Sequence, residues 1–219
     1  MAKKKTVNKN DIISLYMDYV LEYNENPKTV YAFCKANNFN EADFYNYFAS
    51  FEAIEKGVFE AFYTNTINVL DKSDDYKTFD ARNKLLSFYF TFFEILTSNR
   101  SYVVYVLNNY KNKMKGLKKL MPLKKHFTHY IQNLNIETLD LKQEKLEKLK
   151  NKTLEESAWV QLILTIEFWL NDTSSAFEKT DIFIEKSVNT SFDLLNVSPL
   201  KSVVDFGKFL YKEKFQFHN

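Results

Sequence analysis

The scarcity of glycine and proline constrains the fold of this chain more than any other feature of its sequence. Only 3 glycines and 3 prolines occur among 219 residues, far below their usual share in globular proteins. Hairpins and tight turns depend on these two residue types, so the chain carries few signals for β-structure. Aromatic residues favour strands, but no sustained alternation with a period of two accompanies them. We therefore predict an all-α fold, in which 45% hydrophobic residues supply a sizeable core.

Several features predict a cytoplasmic location. Cys34 is the single cysteine of the chain, which excludes an internal disulfide and suits a reducing compartment. The opening residues MAKKKTVNKN lack the apolar region of a secretion signal. No uncharged apolar run reaches about 18 residues, the length that a membrane-spanning helix needs. The net charge of +2 excludes a grossly basic protein.

Apolar residues recur at helical spacing in the first seventy positions. Ser50 is placed to cap a fourth helix, and Cys34 falls in the buried stripe of the second. The first three predicted helices cover residues 10–24, 29–37 and 41–47.

The acidic, polar residues 73–75 are interpreted as a loop between two parts of the chain. We predict a small unit over residues 1–50, a linker helix over 51–72 and a C-terminal domain over 76–219.

The C-terminal part also has helical patterns. Residues 85–96 are apolar nearly all round, which predicts a helix buried on all sides. Pro122 is expected to end or restart a helix. Further helices are predicted over residues 102–120, 153–170, 175–195 and 198–215, with a charged, solvent-facing segment over 139–151.

Residues 29–54 carry a motif in which several spacings agree. Its members are Thr29, Phe33-Cys34, the turn Asn38-Phe39-Asn40, Ala42-Asp43, the aromatic run Phe44 to Phe48, Ser50-Phe51-Glu52 and Ile54. This motif resembles that of the TetR family of bacterial regulators. Asn38 stands where the family has glycine, and asparagine tolerates the left-handed conformation of such a turn. The resemblance implies an N-terminal three-helix helix-turn-helix unit and a larger C-terminal helical bundle.

The resemblance also implies a homodimer that binds duplex DNA and responds to a hydrophobic small molecule or lipid. The candidate DNA-binding residues are Lys3, Lys4, Lys5, Lys28, Thr29, Asn40, Tyr45, Asn46 and Tyr47. The candidate ligand-pocket residues are Phe88, Phe92, Tyr105, Phe127, Tyr130, Trp159 and Phe168. The candidate dimer-interface residues are Leu162, Ile166, Leu170, Phe177, Ile184 and Val188.

The charges around the third helix leave two functions open. Residues 41–55 contain four acids and no lysine or arginine. The acids are Glu41, Asp43, Glu52 and Glu55. Affinity for DNA depends on neutralising phosphates, so the alternative to a transcriptional regulator is a lipid or isoprenoid carrier with the same fold and no DNA binding.

Other patterns carry weaker expectations. Residues 111–125 hold seven lysines and no acid, which suits an anionic lipid, a nucleic acid or a phosphorylated ligand. The amphipathic segment 198–215 could contact a membrane surface, although packing on its own domain is the commoner outcome. His126 and His129 are suitably spaced for a metal but lack further ligands, and no catalytic signature is present. We expect no metal, no cofactor and no enzymatic activity.

Overall fold

The computed structural model describes residues 6–108, 118–136 and 144–196, and every regular element in these ranges is helical. The predicted all-α class is confirmed. In chain order the helices are α1 Lys9–Tyr23, α2 Val30–Ala36, α3 Glu41–Tyr45, α4 Phe51–Leu70, α5 Asp74–Thr78, α6 Ala81–Ser98, α7 Arg100–Asn108, α8 Met121–Asn133, α9 Glu144–Asn171 and α10 Glu178–Asn196, with a 3-10 turn at Ser175–Phe177. Among the described residues, none of these helices is long and apolar enough to cross a membrane.

Side-chain caps set where the N-terminal helices begin. Asn8 accepts hydrogen bonds from the backbone at the start of α1. Thr29 Oγ1 accepts from the backbone N–H of Ala32 at 3.1 Å at the start of α2. Ser50 Oγ accepts from the N–H of Ala53 at 3.2 Å, which confirms the predicted cap of α4. Such caps satisfy N–H groups that have no partner inside the helix.

An aromatic cluster holds α1 to α4 together. Phe33 is 1% exposed, and its ring makes edge contacts with the rings of Phe39, Phe44 and Phe51 at centroid distances of 5.9, 6.3 and 5.6 Å. Asn38 has a φ of 58°, so the predicted left-handed residue between α2 and α3 is confirmed. The turn lets α3 place Phe44 against Phe33.

The described residues divide into two compact units. The first unit contains the chain up to Asp74 together with Phe90–His129. The second contains Asp75–Tyr89 and the chain from Tyr130 onward. The three boundaries between them fall within α5, α6 and α8.

A hydrogen-bonded turn joins α9 to α10 in the second unit. Asp172 is 7% exposed and accepts from the backbone N–H and the hydroxyl of both Ser174 and Thr180, at 2.7 to 2.9 Å. Burial tends to raise the pKa of the Asp172 carboxyl, but these hydrogen bonds outweigh it and hold the pKa below its usual range. The predicted break between the two helices is confirmed.

Three helix predictions need correction. Asp74 and Asp75 begin α5 rather than lying in a loop, because carboxylates are favourable at the positive end of a helix. The segments 139–151 and 153–170 were predicted to be separate. From Glu144 onward they form the single helix α9, because no glycine or proline interrupts that stretch.

The third correction concerns the apolar helix α6, which is not buried on all sides. Phe90 is 40% exposed, whereas Phe88 and Phe92 are fully buried. Residues two apart on a helix point in nearly opposite directions, so the buried face that holds Phe88 and Phe92 turns Phe90 outward.

Pro122 occupies the first turn of α8, where its missing N–H costs no hydrogen bond.

Candidate functional site

The described DNA-binding candidates are all exposed. They sit at the start of α2, in the turn before α3 and along or just after α3. They are Lys28, Thr29, Asn40, Tyr45, Asn46 and Tyr47. Tyr45 and Tyr47 are 55% and 45% exposed, so their hydroxyls can reach a partner. Lys3, Lys4 and Lys5 lie outside the described residues.

Three of the four acids near α3 have partners within the protein. Asp43 Oδ2 accepts from the backbone N–H and the side-chain amide of Asn40, both at 3.3 Å, and so caps the start of α3. Glu52 pairs with Lys56, one turn away on α4, at 2.9 Å. Hydrogen bonding and charge from Lys56 lower the pKa of Glu52.

The third acid, Glu55, lies at the centre of a buried polar cluster. It is 4% exposed, and it forms an ion pair with Lys119, whose side chain is 10% exposed. Its Oε1 accepts from the Tyr16 hydroxyl at 2.9 Å and from the Asn26 amide at 3.2 Å. Burial, with the nearby Glu55 charge, raises the pKa of Tyr16 and keeps that hydroxyl a donor. The cluster therefore ties α4 to α1, to the loop after α1 and to the residues before α8.

A second polar cluster lies further along α4. Glu60 Oε1 is 3.0 Å from His126 Nε2, and Glu60 Oε2 is 3.3 Å from Lys9 Nζ. Burial tends to raise the pKa of Glu60, but its hydrogen bonds to His126 and Lys9 outweigh burial and lower it. The ring of Tyr63 stacks on His126 with centroids 5.2 Å apart. His126 thus serves as the partner of a carboxylate on α4.

A groove of about 990 Å³ opens beside these two clusters in the first unit. One wall is a face of α4, and the other is formed by the start of α8 and the residues before it. Its lining residues are Glu52, Lys56, Glu60, Lys118, Lys119, Met121, Pro122, Lys125 and His126.

The candidate pocket residues do not share one environment. In the first unit, Phe92 and Phe127 are fully buried and Tyr105 is half-buried. These side chains help to fill the core of that unit.

In the second unit, Phe88 and Tyr130 stack with ring centroids 4.8 Å apart. The Tyr130 hydroxyl donates to the Lys84 carbonyl and accepts from Tyr76, both at 2.9 Å. The remaining two candidates lie nearer the surface, with Trp159 half-buried and Phe168 37% exposed.

The candidate dimer residues are largely used inside the second unit, where α9 packs on α10. Leu162, Ile166, Ile184 and Val188 are each at most 4% exposed, and Leu170 and Phe177 are half-buried. The first four side chains are therefore used inside the unit, whereas Leu170 and Phe177 keep part of their surface exposed.

Other apolar side chains of α9 and α10 do face outward. Val160, Leu164 and Phe168 are spaced four residues apart on α9, with exposures of 53%, 51% and 37%. Ile182 on α10 is 50% exposed, and the ring of Phe183 stacks on Phe168 at 4.6 Å. Side chains four residues apart form one stripe on a helix.

Comparison with known protein families matches residues 84–210 to the domain described as "Tetracyclin repressor-like, C-terminal domain". The match covers more than half of the chain. The chain belongs to the TetR family. None of the curated proteins matches it.

The TetR-family match begins at Lys84 and leaves the first five helices outside it. The resemblance of those helices to the family rests on the motif at residues 29–54 and on the three capped helices that it forms. The motif-bearing part and the matched domain are thus separate stretches of one chain.

The Glu55 cluster was missed by sequence reasoning, although the sequence contains a signal for it. Glu55 follows Ile54 and precedes Val58 and Phe59, so it lies in the apolar stripe of α4. A carboxylate in such a stripe is costly unless cations or donors surround it. The identity of those partners, above all Lys119, depends on the tertiary structure.

Proposed function

We propose that this TetR-family protein is a transcriptional regulator that binds duplex DNA as a homodimer through its N-terminal helices. In this proposal α2, the turn at Asn38 and α3 form a helix-turn-helix. A hydrophobic small molecule acting on the C-terminal helices controls the binding. The observation that carries the proposal is the pairing of Glu52 with Lys56 and of Glu55 with Lys119, which balances the charge of two of the four acids near α3. Asp43 keeps its charge but is engaged in the cap of α3.

The chemistry of the exposed residues supports phosphate contact. Lys28 supplies a cation, and the hydroxyls of Thr29, Tyr45 and Tyr47 can donate to phosphate oxygens. The sequence before α1 adds three consecutive lysines, which could follow the DNA backbone.

The effector part of the proposal rests on the aromatic residues of the second unit. Phe88 and Tyr130 stack, and the Tyr76 and Tyr130 hydroxyls share a hydrogen bond. All three side chains are buried, so a ligand reaches these rings and hydroxyls only when the helices that carry them move apart. This combination suits a mostly apolar ligand that carries one polar group.

A salt titration with random duplex DNA tests the proposal. We expect binding at 50 mM salt, with log affinity falling by at least about 4 per decade of salt if four or more phosphates are neutralised. Lys28→Gln should reduce this slope by about 2 in a homodimer, since each copy would lose one phosphate contact. Fluorescence anisotropy with a labelled duplex measures both quantities.

Lys72→Gln is the matched control, because Lys72 is also exposed but follows α4 rather than lying at α2. It should leave the slope unchanged. Absence of salt-dependent binding would reject the regulator in favour of the lipid or isoprenoid carrier.

We place the dimer interface on the outward stripe of Val160, Leu164 and Phe168 with Ile182, because the inner stripe is already occupied. Leu164→Glu should raise the dimer dissociation constant at least about 100-fold, since each copy would bury an unpaired carboxylate. Sedimentation equilibrium measures the constant. The control Leu21→Glu makes the same change at a 42% exposed leucine of α1 and should leave it unaltered. Equal effects of the two changes would remove the interface from this stripe.

A further inference from the structure

The groove between α4 and the start of α8 has an unequal distribution of charge. Its two acids, Glu52 and Glu60, are already paired, one with Lys56 and the other with His126 and Lys9. Lys118 and Lys125 also line the groove, and neither has an ion pair with a described residue. The groove thus presents two ammonium groups whose charge its acids do not balance.

Two further features favour an anion in the same place. The N-terminal end of α8 lies in the groove wall, and the dipole of this 13-residue helix is positive at that end. Met121, which is 55% exposed, and Pro122 supply apolar surface beside the lysines. A ligand with one anionic group and an apolar part fits this combination of positive charge and apolar surface.

We propose that this groove binds an amphiphilic anion, with its phosphate or carboxylate group between Lys118 and Lys125 and its apolar part against Met121 and Pro122. The site is distinct from the candidate pocket residues, none of which lines the groove.

The groove also gives an anion access to the buried cluster. Lys119 lines the groove and at the same time pairs with Glu55. Glu55 in turn accepts hydrogen bonds from Tyr16 on α1 and from Asn26 in the following loop. A bound anion competes with Glu55 for the Lys119 ammonium. The Glu55 carboxylate is then less compensated at the buried junction of α1 and α4, which lowers the stability of that junction although the hydrogen bond from Tyr16 remains. The regulatory meaning of this step rests on the proposed function, whereas anion binding does not.

Calorimetric titration of the full chain, without DNA, tests the site. The probes are dodecyl phosphate below its micelle concentration, dodecanol and inorganic phosphate. We expect dodecyl phosphate to bind most tightly. Lys118→Gln/Lys125→Gln should weaken it at least about tenfold, since two charge-assisted contacts are lost.

The control Lys72→Gln/Lys179→Gln removes two exposed lysines outside the groove and should leave the affinity unchanged. Equal binding of dodecanol, or equal effects of the two double variants, would overturn the anion site. Equal affinity for inorganic phosphate would overturn the apolar part of the ligand.

Hydrogen exchange of the α1 amides tests the connection to Glu55. Dodecyl phosphate should speed this exchange in the wild type and leave it unchanged in Lys118→Gln/Lys125→Gln. Binding without faster exchange would disprove the connection to α1. Because none of these measurements involves DNA, their failure is distinguishable from a failure of DNA binding.

Discussion

Replacement of Lys119 by methionine is expected to lower the free energy of unfolding by about 3–5 kcal/mol. The Lys119 and Glu55 side chains are 10% and 5% exposed, so the variant leaves a buried carboxylate without its cation. Hydrogen bonds from Tyr16 and Asn26 remain, but they do not replace a full positive charge. Urea unfolding followed by circular dichroism, at one fixed protein concentration, measures the loss.

Two further variants separate the ion pair from simple loss of packing. Lys119→Met combined with Glu55→Gln removes both charges and should recover most of the lost stability, because the penalty comes from the uncompensated charge. Lys118→Met alters the exposed neighbour and should change stability by at most about 0.5 kcal/mol. A double variant less stable than Lys119→Met would show that the charges do not act as a pair.

Replacement of Phe33 by alanine should cost about 3–5 kcal/mol, the usual range for a fully buried phenylalanine. Phe33 is 1% exposed and touches four aromatic rings, those of Tyr19, Phe39, Phe44 and Phe51. The cavity would therefore open at the contact of α2 and α3 with α1 and α4. Urea unfolding measures the cost, and the proposed DNA binding should be lost with the geometry of α3.

Tyr31→Ala provides the control on the same helix. Tyr31 is 59% exposed, so its removal should change stability by at most about 0.5 kcal/mol. If Phe33→Ala costs no more than Tyr31→Ala, the aromatic cluster does not hold these helices together.

The parts of the fold that depend on local chemistry were predictable from the sequence. The predicted cap Ser50 and the predicted left-handed residue Asn38 each act within a few residues. Thr29, which was predicted to lie inside α2, acts just as locally as its cap. Their effects follow from residue type and spacing alone. The bounds of α1, α2 and α4 were therefore predicted closely.

The parts that depend on tertiary packing were not predictable in the same way. The apolar stripes with Leu162 on α9 and with Ile184 on α10 were predicted to form a dimer interface, yet most of their side chains are buried within the second unit. A stripe shows that a helix face is covered but does not show what covers it. Likewise, nothing in the sequence indicated that His126 would be paired with Glu60 on another helix. A contact between residues that are far apart in the sequence cannot be inferred from the residue pattern around either of them.

The enclosure of Cys34 has a practical consequence for spectroscopy. The chain has a single thiol, and at 2% exposure it is buried in α2, next in sequence to Phe33 of the aromatic cluster that holds α1 to α4 together. Alkylating reagents should modify it only when these helices separate, so its labelling rate reports on their opening. A cysteine introduced at a surface position would react far faster, and a spin label or fluorophore could be attached there without first removing the native residue.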